Sequence, residues 1–150
     1  MKCGTTNQNR MTKDTTLLTY PSIFKRDVNV NIFFKEDESY GLLMDFFKHY
    51  GVGFLEPNSK TIILDGESFI NNSEVNIDDV RMVEAHEVSH IILQHKGGDR
   101  SPKDELEADL GAYLLLKKHG ISTDRLIDMF RERHNVDFSE ELLTKVEGRI

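Results

Sequence analysis

The sequence predicts a protein of the mixed α+β class, with strand patterns concentrated in its first half and helical patterns in its second. Three observations carry this expectation. Val28, Val30 and Ile32 alternate with Asn29 and Asn31, the period-2 pattern of a half-buried strand. Tyr40, Leu43, Phe47 and Tyr50 recur at helical spacing and are closed by Gly51. From Asp78 to Lys96 neither proline nor glycine interrupts the chain, and further helical stretches follow Gly97-Gly98.

Each element follows from its own residues. Met1 to Thr16 is too polar for a signal peptide, and no hydrophobic stretch precedes Cys3 as a lipoprotein signal would require. This segment is expected to be a disordered arm, with residues 17–150 forming a single domain. The strand that begins at Val28 runs to Phe34, and a helix over Glu36 to Tyr50 turns its aromatic stripe to the core. Gly53-Phe54-Leu55 and Thr61-Ile62-Ile63-Leu64-Asp65 read as a hairpin closed by the turn Glu56-Pro57-Asn58-Ser59-Lys60. Glu67 to Ile77 is irregular or holds another short strand. A helix then spans about residues 78 to 95, with Asp78 and Asp79 suiting its N-terminus. Ser101 or Pro102 opens the next, whose first turn is acidic, and Thr123 to His134 and Ser139 to Glu147 add two more.

Composition narrows the function classes. A net charge of −7 without a basic stripe argues against direct nucleic acid binding. Cys3 is the single cysteine, so no internal disulfide forms and a reducing, cytoplasmic setting is expected. No apolar run reaches the length of a membrane span. The chain shows no internal repeat and no helix-turn-helix pattern.

The chemistry concentrates in His86-Glu87-Val88-Ser89-His90. On a helix, positions i and i+4 share a face, so His86 and His90 can reach one metal ion. Glu87 points elsewhere on the turn, where a carboxylate can take a proton from water instead of binding the metal. Two neutral nitrogens, an open position and a nearby base suit zinc. The third ligand has four candidates after the glycine break: Asp104, Glu105, Glu107 and Asp109. At about 100° per residue, Glu105 and Asp109 share a face with Ala112 and Leu116, and the small Ala108 and Ala112 permit close helix approach. Glu105 has the longer reach and is assigned as the ligand. Asp109, one turn on, is placed to accept a hydrogen bond from the free nitrogen of a ligand histidine. The competing view makes these acidic residues an ordinary solvated helix start.

H-E-x-x-H followed by E-x-x-x-D is the gluzincin pattern. The stretch Met82-Val83-Glu84-Ala85-His86-Glu87-Val88-Ser89-His90-Ile91-Ile92-Leu93-Gln94-His95, with Glu105-Leu106-Glu107-Ala108-Asp109, resembles the ImmA/IrrE group of small metallopeptidases. The likeness covers about residues 39 to 118. It departs at Ser89, where the group usually has glycine, and at Asp109, where asparagine is common. The resemblance implies a minimal zincin-like domain: a small sheet packed on the H-E-x-x-H helix, a following Glu-bearing helix and added C-terminal helices. It implies His86, His90 and Glu105 as ligands of one zinc ion and Glu87 as catalytic base.

A metzincin would need a further histidine at position 96, whereas His95 falls one residue short and Leu93 stands where glycine would be. His95 is therefore expected as a helix-terminal histidine, and His49, His119 and His134 as surface or capping residues. The expected function is zinc-dependent hydrolysis of peptide bonds in a protein substrate, with a transcriptional repressor implied by the resemblance. Thr61 to Asp65 is a candidate for holding substrate by strand addition. Tyr113 is a candidate to stabilise the oxyanion, or a packing tyrosine. The alternatives are a non-catalytic zinc module and a phage or bacterial peptidase with an unrelated substrate.

Overall fold

The computed structural model describes residues 10–12, 17–56, 58–96 and 100–150. It is of the mixed α+β class, and the chain groups into two compact units, residues 1–84 and 85–150. The first unit holds, in order, β1 (Arg10–Thr12), β2 (Leu17–Pro21), β3 (Asn29–Phe33), α1 (Tyr40–Tyr50), β4 (Gly53–Glu56), β5 (Thr61–Asp65), a 3-10 turn (Gly66–Phe69), β6 (Ile70–Asn71) and β7 (Glu74–Asn76). α2 (Ile77–Ile92) crosses the division. The second unit adds α3 (Pro102–Lys118), α4 (Asp124–His134) and the short α5 (Glu140–Leu143).

The main sheet runs β2-β3-β5-β4, with β3 and β5 parallel and the outer pairs antiparallel. Alternation sets its buried face: Val28, Val30, Ile32 and Phe34 are fully buried, as are Ile62 and Leu64. Val30 pairs with Ile62 and Ile32 with Leu64, so these apolar side chains stack across the strands. β5 is hydrogen-bonded on both sides, which removes Thr61 to Asp65 as a docking strand: the sheet's outer strands are β2 and β4. A second small sheet, β1-β7-β6, is antiparallel. Its β1 lies within the segment expected to be disordered, and Arg10–Thr12 pairs there with Glu74–Asn76. Residues 1–9 and 13–16 of that segment lie outside the described residues.

Two boundaries differ from the sequence pattern for local reasons. The first helix starts at Tyr40, not Glu36, because Asp37 accepts the Ser39 N–H at 2.8 Å and holds the chain in turns. Its aromatic stripe is only partly core. Phe47 is buried, Tyr40 is half-buried with its hydroxyl on Asp65 at 2.9 Å, and Tyr50 is exposed. Phe46, Phe47 and Tyr50 instead gather around Phe54, each ring 5.7 Å from it. The second difference is that α2 stops at Ile92, short of residue 95. Gln94 adopts a left-handed φ of 59°, its N–H bonds to the Ile91 carbonyl, and the His95 N–H reaches back to the His90 carbonyl at 3.0 Å. This paired-bond helix stop turns His95 back over the last turn of α2.

One buried carboxylate anchors the N-terminal half of α2. Glu84 is fully buried and accepts hydrogen bonds from Tyr20 Oη at 3.1 Å, Ser22 Oγ at 2.6 Å and the Ile23 N–H at 3.2 Å. Arg81 Nη1 completes its set at 2.7 Å. In the second unit α3 begins where Ser101 caps the Asp104 N–H and Pro102 occupies the first turn. α4 buries Leu126 and Phe130, four residues apart on one face.

Candidate metal centre

The last turns of α2 and the first turns of α3 bring five of the functional candidates into one place. His86 Nε2 lies 3.1 Å from His90 Nε2 and 3.0 Å from Glu105 Oε2, and His90 Nε2 lies 3.3 Å from Glu105 Oε1. An ion bonded tetrahedrally at about 2.0–2.1 Å sets its donors roughly 3.3 Å apart, so these three side chains fit one small divalent cation. His90 is fully buried and His86 nearly so, while the Glu105 side chain remains 36% exposed and leaves the group open on that side. Two nitrogens and one carboxylate oxygen form a donor set suited to zinc and other borderline metals.

Asp109 sits behind His86. Its Oδ1 is 2.7 Å from His86 Nδ1, which leaves Nε2 to face Glu105 and His90. Its Oδ2 meets His134 Nε2 at 2.5 Å and Arg133 Nε at 3.2 Å. The expectation of a surface or capping role for His134 therefore fails: the side chain is 8% exposed and belongs to this group. The α4 stripe explains this, since Phe130 packs its ring 4.7 Å from His134 and fixes the end of the helix. His119 does cap α3, its Nδ1 2.9 Å from the Leu115 carbonyl.

Electrostatics follow from burial and these partners. Burial disfavours the His86 imidazolium, but hydrogen bonds to Asp109 and Glu105 outweigh it and push its pKa up to about 10. Burial takes His90 the other way, down to about 4, with the charge on His86 adding to the effect. Without a metal, His86 thus carries the proton and His90 presents a neutral ring. Burial alone would raise Glu105 and Asp109, yet their histidine partners hold both well below the usual carboxylate range. Glu87 is raised by burial, with His86 and Arg100 opposing. Its Oε1 lies 3.3 Å from Arg100 Nη1.

Arg100, Arg133 and His134 go beyond the sequence candidates, and so does the grouping of His95 with Asp104 and Glu107 in a second cluster. His95, Asp104 and Glu107 stand close together, with His95 Nε2 2.9 Å from Glu107 Oε1 and 3.5 Å from Asp104 Oδ1. His95, five residues after His90, was the available sequence signal; it carries meaning only once the helix stop at Gln94 is known. Tyr113 is buried, its ring 4.6 Å from that of Phe138 and its hydroxyl 3.4 Å from Lys117 Nζ, the surroundings of a packing residue. Among the described residues no helix is long and apolar enough to cross a membrane. No protein-family model, curated protein or solved structure matches the chain.

Proposed function

We propose that the chain is a zinc-dependent metallopeptidase in which His86, His90 and Glu105 hold the ion and Glu87 is the general base. The observation that supports this best is the convergence of the two imidazole nitrogens and one carboxylate within 3.3 Å of one another, with a buried carboxylate one residue after the first histidine. Three protein donors leave a fourth position free, the pattern of catalytic and not structural zinc. When bound, zinc supplies Lewis-acid chemistry: it polarises a scissile carbonyl and makes water more acidic. Glu87 takes the proton of the attacking water and returns it to the leaving amine. Its raised pKa brings it toward the operating pH, where a general base works best. Asp109 holds the His86 ring with Nε2 forward, and Arg133 and His134 keep that carboxylate ionised.

The zincin-like architecture and a repressor-type protein substrate belong to the same proposal and draw on the ImmA/IrrE likeness of residues 82–95 and 105–109. A second reading, a non-catalytic zinc module, draws on one observation: Glu87 has a partner in Arg100, which would give it a structural role. Glu87→Gln separates the two. Peptide hydrolysis by zinc-loaded protein, followed with a mixed peptide library, should fall by roughly 10²–10⁴-fold while zinc content stays unchanged. Activity that survives the substitution would refute the base assignment, and a wild-type protein that binds zinc but cleaves nothing would favour the module.

A further inference from the structure

His95 and Glu107 form a relay behind the second histidine that mirrors Asp109 behind the first. His90 Nδ1 lies 2.8 Å from His95 Nδ1, and His95 Nε2 lies 2.9 Å from Glu107 Oε1. All three side chains are buried, with His95 6% and Glu107 9% exposed. The protons in this row follow from donor chemistry. A Glu107 carboxylate only accepts, so His95 must carry its proton on Nε2. A neutral His95 then offers a lone pair at Nδ1, and His90 must donate from its own Nδ1. That leaves the His90 Nε2 lone pair facing His86 and Glu105, the tautomer in which it can bind a metal. The helix stop at Gln94 returns His95 to the position where its Nδ1 can accept that hydrogen bond.

We propose that His95, supported by Glu107, is a positioning residue that fixes ligand His90 in its metal-binding tautomer. The inference rests on the metal reading given above and extends it to a pair with no ligand role. It competes with the use of His95, Asp104 and Glu107 as a second cation site, since an ion there would displace the proton that His95 Nε2 donates to Glu107. Zinc affinity, measured by competition with a chelator, should weaken by roughly 10–100-fold in His95→Leu. His95→Gln should recover most of that loss, since its amide oxygen can accept from His90 and its amide N–H can donate to Glu107. Equal affinity of the Leu variant and the wild type, or two tightly bound ions per wild-type chain, would overturn the proposal. A long-range ¹H–¹⁵N correlation spectrum of the wild-type protein provides the check that needs no variant. It should show His90 protonated at Nδ1 and His95 at Nε2, and a proton on His95 Nδ1 would overturn the assignment. Failure of the wild type to take up zinc would remove the metal reading instead, and the same spectrum of the metal-free protein would still decide the tautomer.

Discussion

Gly111 lets α2 and α3 approach closely enough for His86, His90 and Glu105 to converge, and a steric exchange with Ser89 tests that spacing. A methyl group at Gly111 would stand 2.7 Å from Ser89 Oγ, 2.9 Å from Ser89 Cβ and 3.0 Å from Ile150 Cδ1. Relaxed carbon contacts lie near 3.5–4.0 Å, so Gly111→Ala forces the helices apart by roughly 1 Å or distorts one of them. Overpacking of this kind costs about 1–3 kcal/mol, against a gain of up to about 1 kcal/mol from the better helix propensity of alanine. The net expectation is a loss of roughly 0.5–2 kcal/mol, accompanied by weaker zinc binding as Glu105 draws away from His86 and His90. Ser89→Gly removes both serine contacts, and it gives up nothing in hydrogen bonding because Ser89 Oγ is buried without a partner among the described residues. Ser89→Gly with Gly111→Ala should therefore regain stability and affinity together. Urea unfolding of the four proteins in excess chelator gives the coupling energy, expected at about 1–3 kcal/mol, and chelator competition gives the affinities. A Gly111→Ala protein as stable and as tight-binding as the wild type, or a coupling near zero, would refute the argument.

Other outcomes follow from the same structure. Asp109→Ala should weaken zinc binding by roughly 10–100-fold through loss of the His86 hydrogen bond, and Glu105→Ala should weaken it more because a ligand is lost; chelator titration orders them, and the reverse order would exchange their roles. Glu84→Ala should destabilise the protein by about 3–5 kcal/mol in urea unfolding, since it strips four donors of a fully buried acceptor; a loss below about 1 kcal/mol would contradict the burial argument. The metal-free protein should lose stability as pH rises: His86, raised from 6.5 to about 10, contributes fully below 6.5 and its contribution is gone above 10. Near pH 8 zinc uptake should accordingly release about one proton from His86, read by calorimetry in buffers of different ionisation enthalpy, and no release would mean that His86 is already neutral.

The parts of this structure that were legible in the sequence are those governed by local periodicity. Alternation from Val28 to Phe34 marks a strand with one buried face, and the i, i+4 histidines mark a helix face. What was hidden depends on how segments return to one another. His134 reaches Asp109 across 25 positions because the Phe130 side of α4 is buried, and no spacing rule connects the two. The end of α2 was misplaced because a glutamine, not a glycine, takes the left-handed position at residue 94. The pairing of Thr61 to Asp65 on both sides was equally invisible, since edge and centre strands of this length share the same apolar pattern.

The two histidines one turn apart have a consequence for the unfolded chain. A pair at i and i+4 needs only a single helical turn to chelate, and an ion can induce that turn in an otherwise disordered segment. Glu105, fifteen positions beyond His90, joins only when the second helix is in place. An ion held by the proposed ligands would therefore have some affinity for both states, and only the difference between them would appear as added stability. On the proposed function, the rise in melting temperature on adding zinc should understate how tightly the native protein holds the ion.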